Sequence, residues 1–274
     1  IKKKSISLLL LNARITDKSF KKWKIFDSSA KIFFKKFDVC LSSSLKSNYY
    51  LKSLGAKKIR YIGNLKFSQT DKHEDYLNNN ILKKFKSKTV WCASSTHYGE
   101  EKICIDVHKK LKNKYKNLLT VIIPRHIHRT AEIINATQEI GLKIHIHNSK
   151  KIIDDKTDIY LVNSFGQTKS FFKVCKTVFL GGSLIKHGGQ NPLEAARYGC
   201  KILHGPNIWN FEEIYNLLKR YKVSNKVIST NQLAYNVDKM LQNKNNSQNL
   251  KIKIKDLGNK ILNSTLNEIN LFIN

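Results

Sequence analysis

The sequence predicts an α/β protein built from two Rossmann-like units, of which the first is incomplete. Three observations carry that expectation. Apolar, strand-like runs alternate with amphipathic, lysine-studded runs of helical period almost from end to end; such alternation specifies parallel sheets covered by helices on both faces. A polar stretch without apolar periodicity, "SQTDKHEDYLNNN" (68–80), splits the alternation into two series. The third is punctuation: of 12 Gly and 3 Pro in 274 residues, residues 181–206 hold Gly181, Gly182, Gly188, Gly189, Gly199, Gly205, Pro192 and Pro206.

In chain order, "SLLLLNARI" (7–15) reads as a buried strand, followed by a helical run over 17–36, the strand "DVCLSS" (38–43), a helix over 44–54 and the strand "KIRYIGNLKF" (58–67). These three strands are about half a domain. The second series has six: "TVWCASS" (89–95), "LLTVIIPR" (118–125), "KIHIHNS" (143–149), "DIYLVNSFG" (158–166), "TVFLGGS" (177–183) and "KILHGP" (201–206). Helical runs over 97–115, 128–140, 168–175, 191–198 and 211–221 connect or follow them, and the tail beyond 232 reads as helices around a polar loop, "NKNNSQNLK" (243–251). The expected division is a first domain over 1–67, a linker over 68–86 and a second domain, with the C-terminal helices, over 87–274.

Composition narrows the classes. A 41% hydrophobic fraction suits a folded globular chain, and no window approaches the roughly 18–20 apolar residues that span a bilayer. The five cysteines (Cys40, Cys92, Cys104, Cys175, Cys200) are scattered and never form a CxxC pair, so they read as buried apolar residues in a reducing compartment rather than a disulfide or zinc framework. The formal net charge of +30 favours an anionic partner. Only six of the 50 basic residues are Arg, however, so lysine drift over solvated helix faces explains much of it. Arg14, Arg60, Arg125, Arg129, Arg197 and Arg220 stand out, because a guanidinium offers planar, bidentate recognition that an ammonium does not. The aromatics lie within helical and strand periodicities rather than interleaved with basic residues, which argues against a nucleic-acid partner. The nine histidines form no convincing metal-ligand set.

In open α/β sheets ligands sit beyond the carboxyl ends of the strands, so the residues there are the candidates. Ser94, Ser95 and Thr96 stand at a strand-to-helix turn, where hydroxyls and free amides suit a phosphate or simply cap the helix. Glu100 and Glu101 follow in the first turn, favourable there electrostatically. Pro124, Arg125 and His126 end the next strand, with Arg125 suited to phosphate or carboxylate. Phe165, Gly166 and Gln167 follow another, where Gly166 admits a ligand's approach or a tight turn of positive φ. Gly181 and Gly182 end a buried strand as a pair whose amides are expected to face a ligand, Ser183 follows them as a further candidate, and His187 and Gly189 lie in a second flexible turn. Asn191, Pro192, Leu193 and Glu194 then read as a helix start, with Asn191 as N-cap, Pro192 at N1 and Glu194 at N3. Glu194 either closes a capping box or faces the crevice and accepts hydrogen bonds from ribose hydroxyls. A nucleotide-sized pocket accounts for the whole set.

Taken together, "NARITDKSF", "GNLKF", "ASSTHYGEE", "PRH", "GGSLIKHGGQNPLEAARYG" and "HGPNIWNFEEI" resemble the 3-deoxy-D-manno-octulosonic acid (Kdo) transferases of lipid A biosynthesis, in order from about residue 5 to about 222. The resemblance implies the two-domain B-type glycosyltransferase fold and inverting transfer of Kdo from CMP-Kdo, with no cofactor or metal, to an anionic lipid A precursor at the cytoplasmic face of the inner membrane. By motif, Pro124, Arg125, Phe165, Gly166, Gln167, Asn191, Pro192, Leu193 and Glu194 would line the CMP pocket. Two positions depart from the family pattern: Gln167 stands where it usually has Glu, and Ala195 where it often has Pro. The family's general base, a Glu behind a membrane-anchoring helix, has no counterpart here. The expectation is therefore a chain beginning within the first domain, able to bind CMP but a poor transferase, with Glu100, Glu101 and His187 as substitute bases to test. A B-type transferase using a UDP-sugar is the competing reading, and a basic nucleic-acid-binding protein a more distant one.

Overall fold

The computed structural model describes residues 6–69, 77–147, 152–243 and 247–273. The chain divides into two compact units, Ile1–Thr70 with Lys253–Asn274, and Asp71–Ile252.

In the first unit, strands β1 (Leu9–Ala13), β2 (Val39–Ser42) and β3 (Ile59–Tyr61) form a parallel sheet in the order β1-β2-β3. The helical run expected over 17–36 is two helices, α1 (Asp17–Ile25) and α2 (Asp27–Phe34), broken at Phe26, whose φ of −113° and ψ of 49° leave the helical region. Helix α3 (Leu45–Ser53) begins where the Ser44 hydroxyl accepts the Ser47 amide hydrogen, the usual way a helix satisfies an orphan donor. Ala30, Phe34, Cys40, Leu51 and Leu54 form the core.

The expected boundaries shift at two points. Helix α4 (Asn79–Lys86) occupies the end of the predicted linker, while its centre, 70–76, lies outside the described residues. So do residues 148–149 of the third strand expected in the second series and 244–246 of the polar loop. The last helix, α11 (Ser247–Asn270), joins the first unit from Lys253 onward instead of the second. Packing explains this: Ile254, Ile261 and Thr265 share a helical face and are buried, and a side chain at Gly258 would stand 2.4 Å from the Phe67 carbonyl oxygen. Glycine lets the helix approach that backbone.

The second unit carries strands β4 (Thr89–Thr96), β5 (Leu118–Pro124), β6 (Ile144–Ile146), β7 (Ile159–Leu161), β8 (Thr177–Leu180), β9 (Lys201–His204) and β10 (Ser224–Lys226) in one parallel sheet, in the order β10-β9-β8-β4-β5-β7-β6. The seventh strand, β10, was not legible, because Ser-Asn-Lys at a sheet edge has no apolar signature. Between the strands run α5 (Glu100–Lys112), α6 (Thr130–Gln138), α7 (Thr168–Val174), α8 (Leu193–Arg197) and α9 (Glu212–Arg220), with α10 (Thr230–Gln242) after them. Trp91, Phe179 and Leu203 of the sheet pack with Val107, Leu233 and Val237 of α5 and α10; Ile122, Ile159 and Leu161 pack with Ile105 and Ile133. All five cysteines are free and buried. The strand order turns back between β4 and β8, so the crevice at their carboxyl ends is the topological switch point, where open α/β sheets bind ligands.

Candidate functional site

At the switch point the loops after β4 and β8 meet around one carboxylate. Glu100 opens α5 and is fully buried. One of its oxygens accepts the amide hydrogens of Gly182 (2.6 Å) and His97 (3.0 Å), and the other those of Leu184 (2.9 Å) and Ser183 (3.0 Å). This corrects the expectation that the glycine pair turns its amides toward a ligand: the Gly181 amide donates to the Ser94 carbonyl at 2.9 Å, and the Gly182 amide, with that of Ser183, is committed to Glu100. A carboxylate buried there is sustained by four charge-assisted hydrogen bonds and the positive end of the helix. The glycine pair is explained by close approach. A side chain at Gly181 would stand 2.4 Å from the Ser95 carbonyl oxygen, and Ser95 itself holds a φ of +55° at a register shift in β4.

Beyond that knot the crevice is lined by imidazoles and guanidiniums. The His97 ring lies 4.1 Å from that of His187 and 5.5 Å from that of His126, which is 5.6 Å from His128. The Gln190 carboxamide nitrogen is 3.2 Å from His97 Nε2. Burial, and then the charges of His187, His126 and Arg125, push the His97 imidazolium down to about 4, so it is neutral near pH 7, while His126, His128, His187 and Arg125 are exposed. Among the described residues, no group of three or more His, Cys, Asp or Glu side chains could hold a metal ion. Arg129 is engaged: it pairs with the buried Glu101 at 2.8 Å and with Glu132 at 2.8 Å, and its guanidinium lies over the Tyr98 ring. Burial raises the Glu101 carboxyl, against the pull of Arg129.

The remaining expected residues divide by exposure. Ser94 is fully buried at the end of β4, and Thr96 and Pro124 are buried as well, so their side chains form the wall. Arg125 is exposed, its amide hydrogen bonded to the Thr96 carbonyl at 2.9 Å. Phe165 is 67% exposed, and Gly166 turns there with a φ of +82° and open space where a side chain would be, so positive φ explains that glycine. Gln167 precedes α7. Gly189 donates its amide hydrogen to the Gly182 carbonyl at 2.8 Å, closing the second turn.

The expected capping box is displaced by one residue. The Asn191 carboxamide oxygen accepts the Leu193 amide hydrogen at 3.2 Å, and α8 starts at Leu193 after Pro192. Glu194 therefore stands at the second helical position, not the third. Leu193 is fully buried and Pro192 buried, whereas Glu194 is a third exposed, 3.8 Å from the ammonium of Lys169 on α7. That pair joins the segment after β7 to the start of α8. The structure thus gathers His97, Arg125, Gly182, His187 and Gln190 at the switch point, with Gln167 and Glu194 joined through α7. Sequence reasoning missed Glu100 as the knot and His97 and Gln190 as its lining. The first-turn acid was visible, but three of its four partners lie 82 to 84 residues away.

Residues 1–69 match the family model of the 3-deoxy-D-manno-octulosonic-acid transferases. The chain is 30% identical over 280 residues to the 3-deoxy-D-manno-octulosonic acid transferase of Rickettsia bellii, covering 98% of this chain and 66% of that protein. It is 24% identical over 269 residues to the Haemophilus influenzae enzyme of the same name, covering 94% of this chain and 61% of that one. The chain therefore spans somewhat under two thirds of these relatives. Among solved structures it resembles the C-terminal CMP-Kdo binding domain of WaaA from Acinetobacter baumannii, with a TM-score of 0.57 and 23% identity over 65% of this chain and 91% of that one, a likeness of fold. With two parallel α/β units, a switch-point crevice and these relatives, the chain belongs to the 3-deoxy-D-manno-octulosonic acid transferase family.

Proposed function

We propose that the protein transfers Kdo from CMP-Kdo to an anionic lipid A precursor, and that the carboxyl edge of the seven-stranded sheet binds the donor. The observation that carries this reading is the convergence of exposed Arg125, His126 and His187 on the buried, neutral His97 at the switch point, with exposed His128 beside His126. CMP-Kdo brings two anionic groups, a phosphodiester and a carboxylate, which suit a crevice rich in guanidinium and imidazole donors. Exposed Phe165 would flank the base, and Glu194 would accept hydrogen bonds from the ribose hydroxyls. Asn191, Pro192 and Leu193 would contribute backbone, since Leu193 and Pro192 turn their side chains into the protein.

Inverting transfer needs a group to take the acceptor hydroxyl's proton. Glu100 is saturated by four amide hydrogens and Glu101 is paired with Arg129, so neither serves. His187, the third group considered, has an exposed side chain. No helix among the described residues is long and apolar enough to cross a membrane, and the +30 charge supports working at an anionic surface; the cytoplasmic face of the inner membrane is the location we propose. The test is CMP release from CMP-Kdo in the presence of a lipid A precursor, set against the same assay with a UDP-sugar. Turnover with CMP-Kdo alone supports the reading; turnover with the UDP-sugar alone overturns it. Loss of turnover in His187→Ala with CMP binding intact would assign the base, and unchanged turnover would exclude that residue.

A further inference from the structure

A second site lies at the opposite end of the sheet. Beneath the amino ends of β4, β8 and β9, three adjacent strands, is a cavity of about 240 Å³. Val90, Met240 and Leu241 give it an apolar floor, and Lys88, Lys176 and Lys201 surround it. The three ammonium groups are held by backbone carbonyls: Lys88 by those of Asp155 (2.5 Å) and Thr157 (3.3 Å), Lys176 by that of Tyr198 (2.9 Å), and Lys201 by that of Asn243 (2.8 Å). Among the described residues none of the three pairs with a carboxylate; the nearby Asp155 side chain pairs with Lys84. Holding three ammonium groups beside an apolar hollow without a direct carboxylate partner is costly. Burial pushes the Lys88 and Lys201 ammonium groups below the usual lysine range, Lys84 adding its repulsion at Lys88 against the pull of Asp155 and Asp154.

We propose that this cavity binds a small amphiphilic anion, a carboxylate or phosphate monoester carrying a compact aliphatic body, with its head among Lys88, Lys176 and Lys201 and its tail on Val90, Met240 and Leu241. An apolar cavity of about 150 Å³ holds benzene, so this one has room for a short acyl chain. An anionic headgroup placed among the three ammonium groups would supply the direct counter-charge they lack. The site is independent of the donor crevice, which lies at the carboxyl edge, and nothing in it depends on the transfer reaction.

Octanoate, octyl phosphate and inorganic phosphate are titrated calorimetrically into the protein, the first two distinguishing a fatty-acid from a phospholipid source. At least one amphiphile is expected to bind, inorganic phosphate at least tenfold more weakly, and Lys176→Gln/Lys201→Gln and Met240→Trp each to weaken that binding tenfold or more. If the double variant does not fold, Lys201→Gln alone, with lysine Nζ resonances followed in the unaltered protein, decides the matter. Absence of binding by both amphiphiles, equal binding of inorganic phosphate, or binding indifferent to the substitutions would overturn the proposal.

Discussion

The Gly182 amide nitrogen lies 2.6 Å from a carboxylate oxygen of Glu100, 82 residues away, and that bond draws the loop after β8 onto the first turn of α5. With the other three amides it makes Glu100 the clasp of the switch point. Removing it would strand buried donors. Glu100→Ala is expected to lose about 3–5 kcal/mol or fail to fold, and Glu100→Gln about 1–3 kcal/mol, because a carboxamide keeps one acceptor but no charge. Urea melting measures both; a loss under about 0.5 kcal/mol would remove the clasp from the account.

Gly181→Ala probes the same closure from the backbone side. The added methyl would sit 2.4 Å from the Ser95 carbonyl oxygen and 2.5 Å from Thr96 Cα, so neither neighbour can rotate away. A loss of roughly 3 kcal/mol or more is expected, read as a shift of the urea midpoint.

Stability should depend on two neutral histidines. Burial lowers His108 to about 3, with Lys112 and Lys88 adding repulsion, and lowers His97 to about 4. Both depart downward from the unfolded value near 6.5. Between those values the unfolded chain binds more protons, so stability falls as pH drops from about 6.5 toward 3 and is level above it. His108, fully buried with Nδ1 2.8 Å from the Thr120 hydroxyl, should contribute most, of order 3–5 kcal/mol at the acid end. Denaturation midpoints from pH 4 to 7 test this. His108→Gln should flatten the profile, and an unaltered slope would contradict the assignment.

Much of the fold was legible because buried parallel strands announce themselves: "TVWCASS" and "LLTVIIPR" are nearly continuous apolar runs, and their helices carry clear period. What stayed hidden were features set by distant partners. Phe26 breaks α1 from α2 inside an unbroken helical pattern, α11 leaves the second unit to pack on Phe67, and the displaced start of α8 depends on which amide Asn191 reaches. At the site, the glycine pair was expected to turn its amides toward a ligand, but the Gly182 amide meets Glu100 instead. No local signal ties residue 100 to residue 182.

Glu194→Gln separates binding from folding. Its side chain is a third exposed and its Lys169 partner stands at 3.8 Å, an interaction of small net worth. The substitution should weaken CMP binding about tenfold while moving the urea midpoint by less than about 0.5 kcal/mol. A collapse in stability would instead make Glu194 a structural residue of the α8 start.

The central claim is that the carboxyl edge of the seven-stranded sheet recognises a cytidine monophosphate. Calorimetric titration of the protein with CMP and with UMP, repeated on Arg125→Ala, tests it most directly. The account predicts that CMP binds, that UMP binds at least tenfold more weakly, and that Arg125→Ala loses about 10-fold or more of the CMP affinity with its melting unchanged. Equal binding of UMP, or CMP binding indifferent to Arg125, would contradict it.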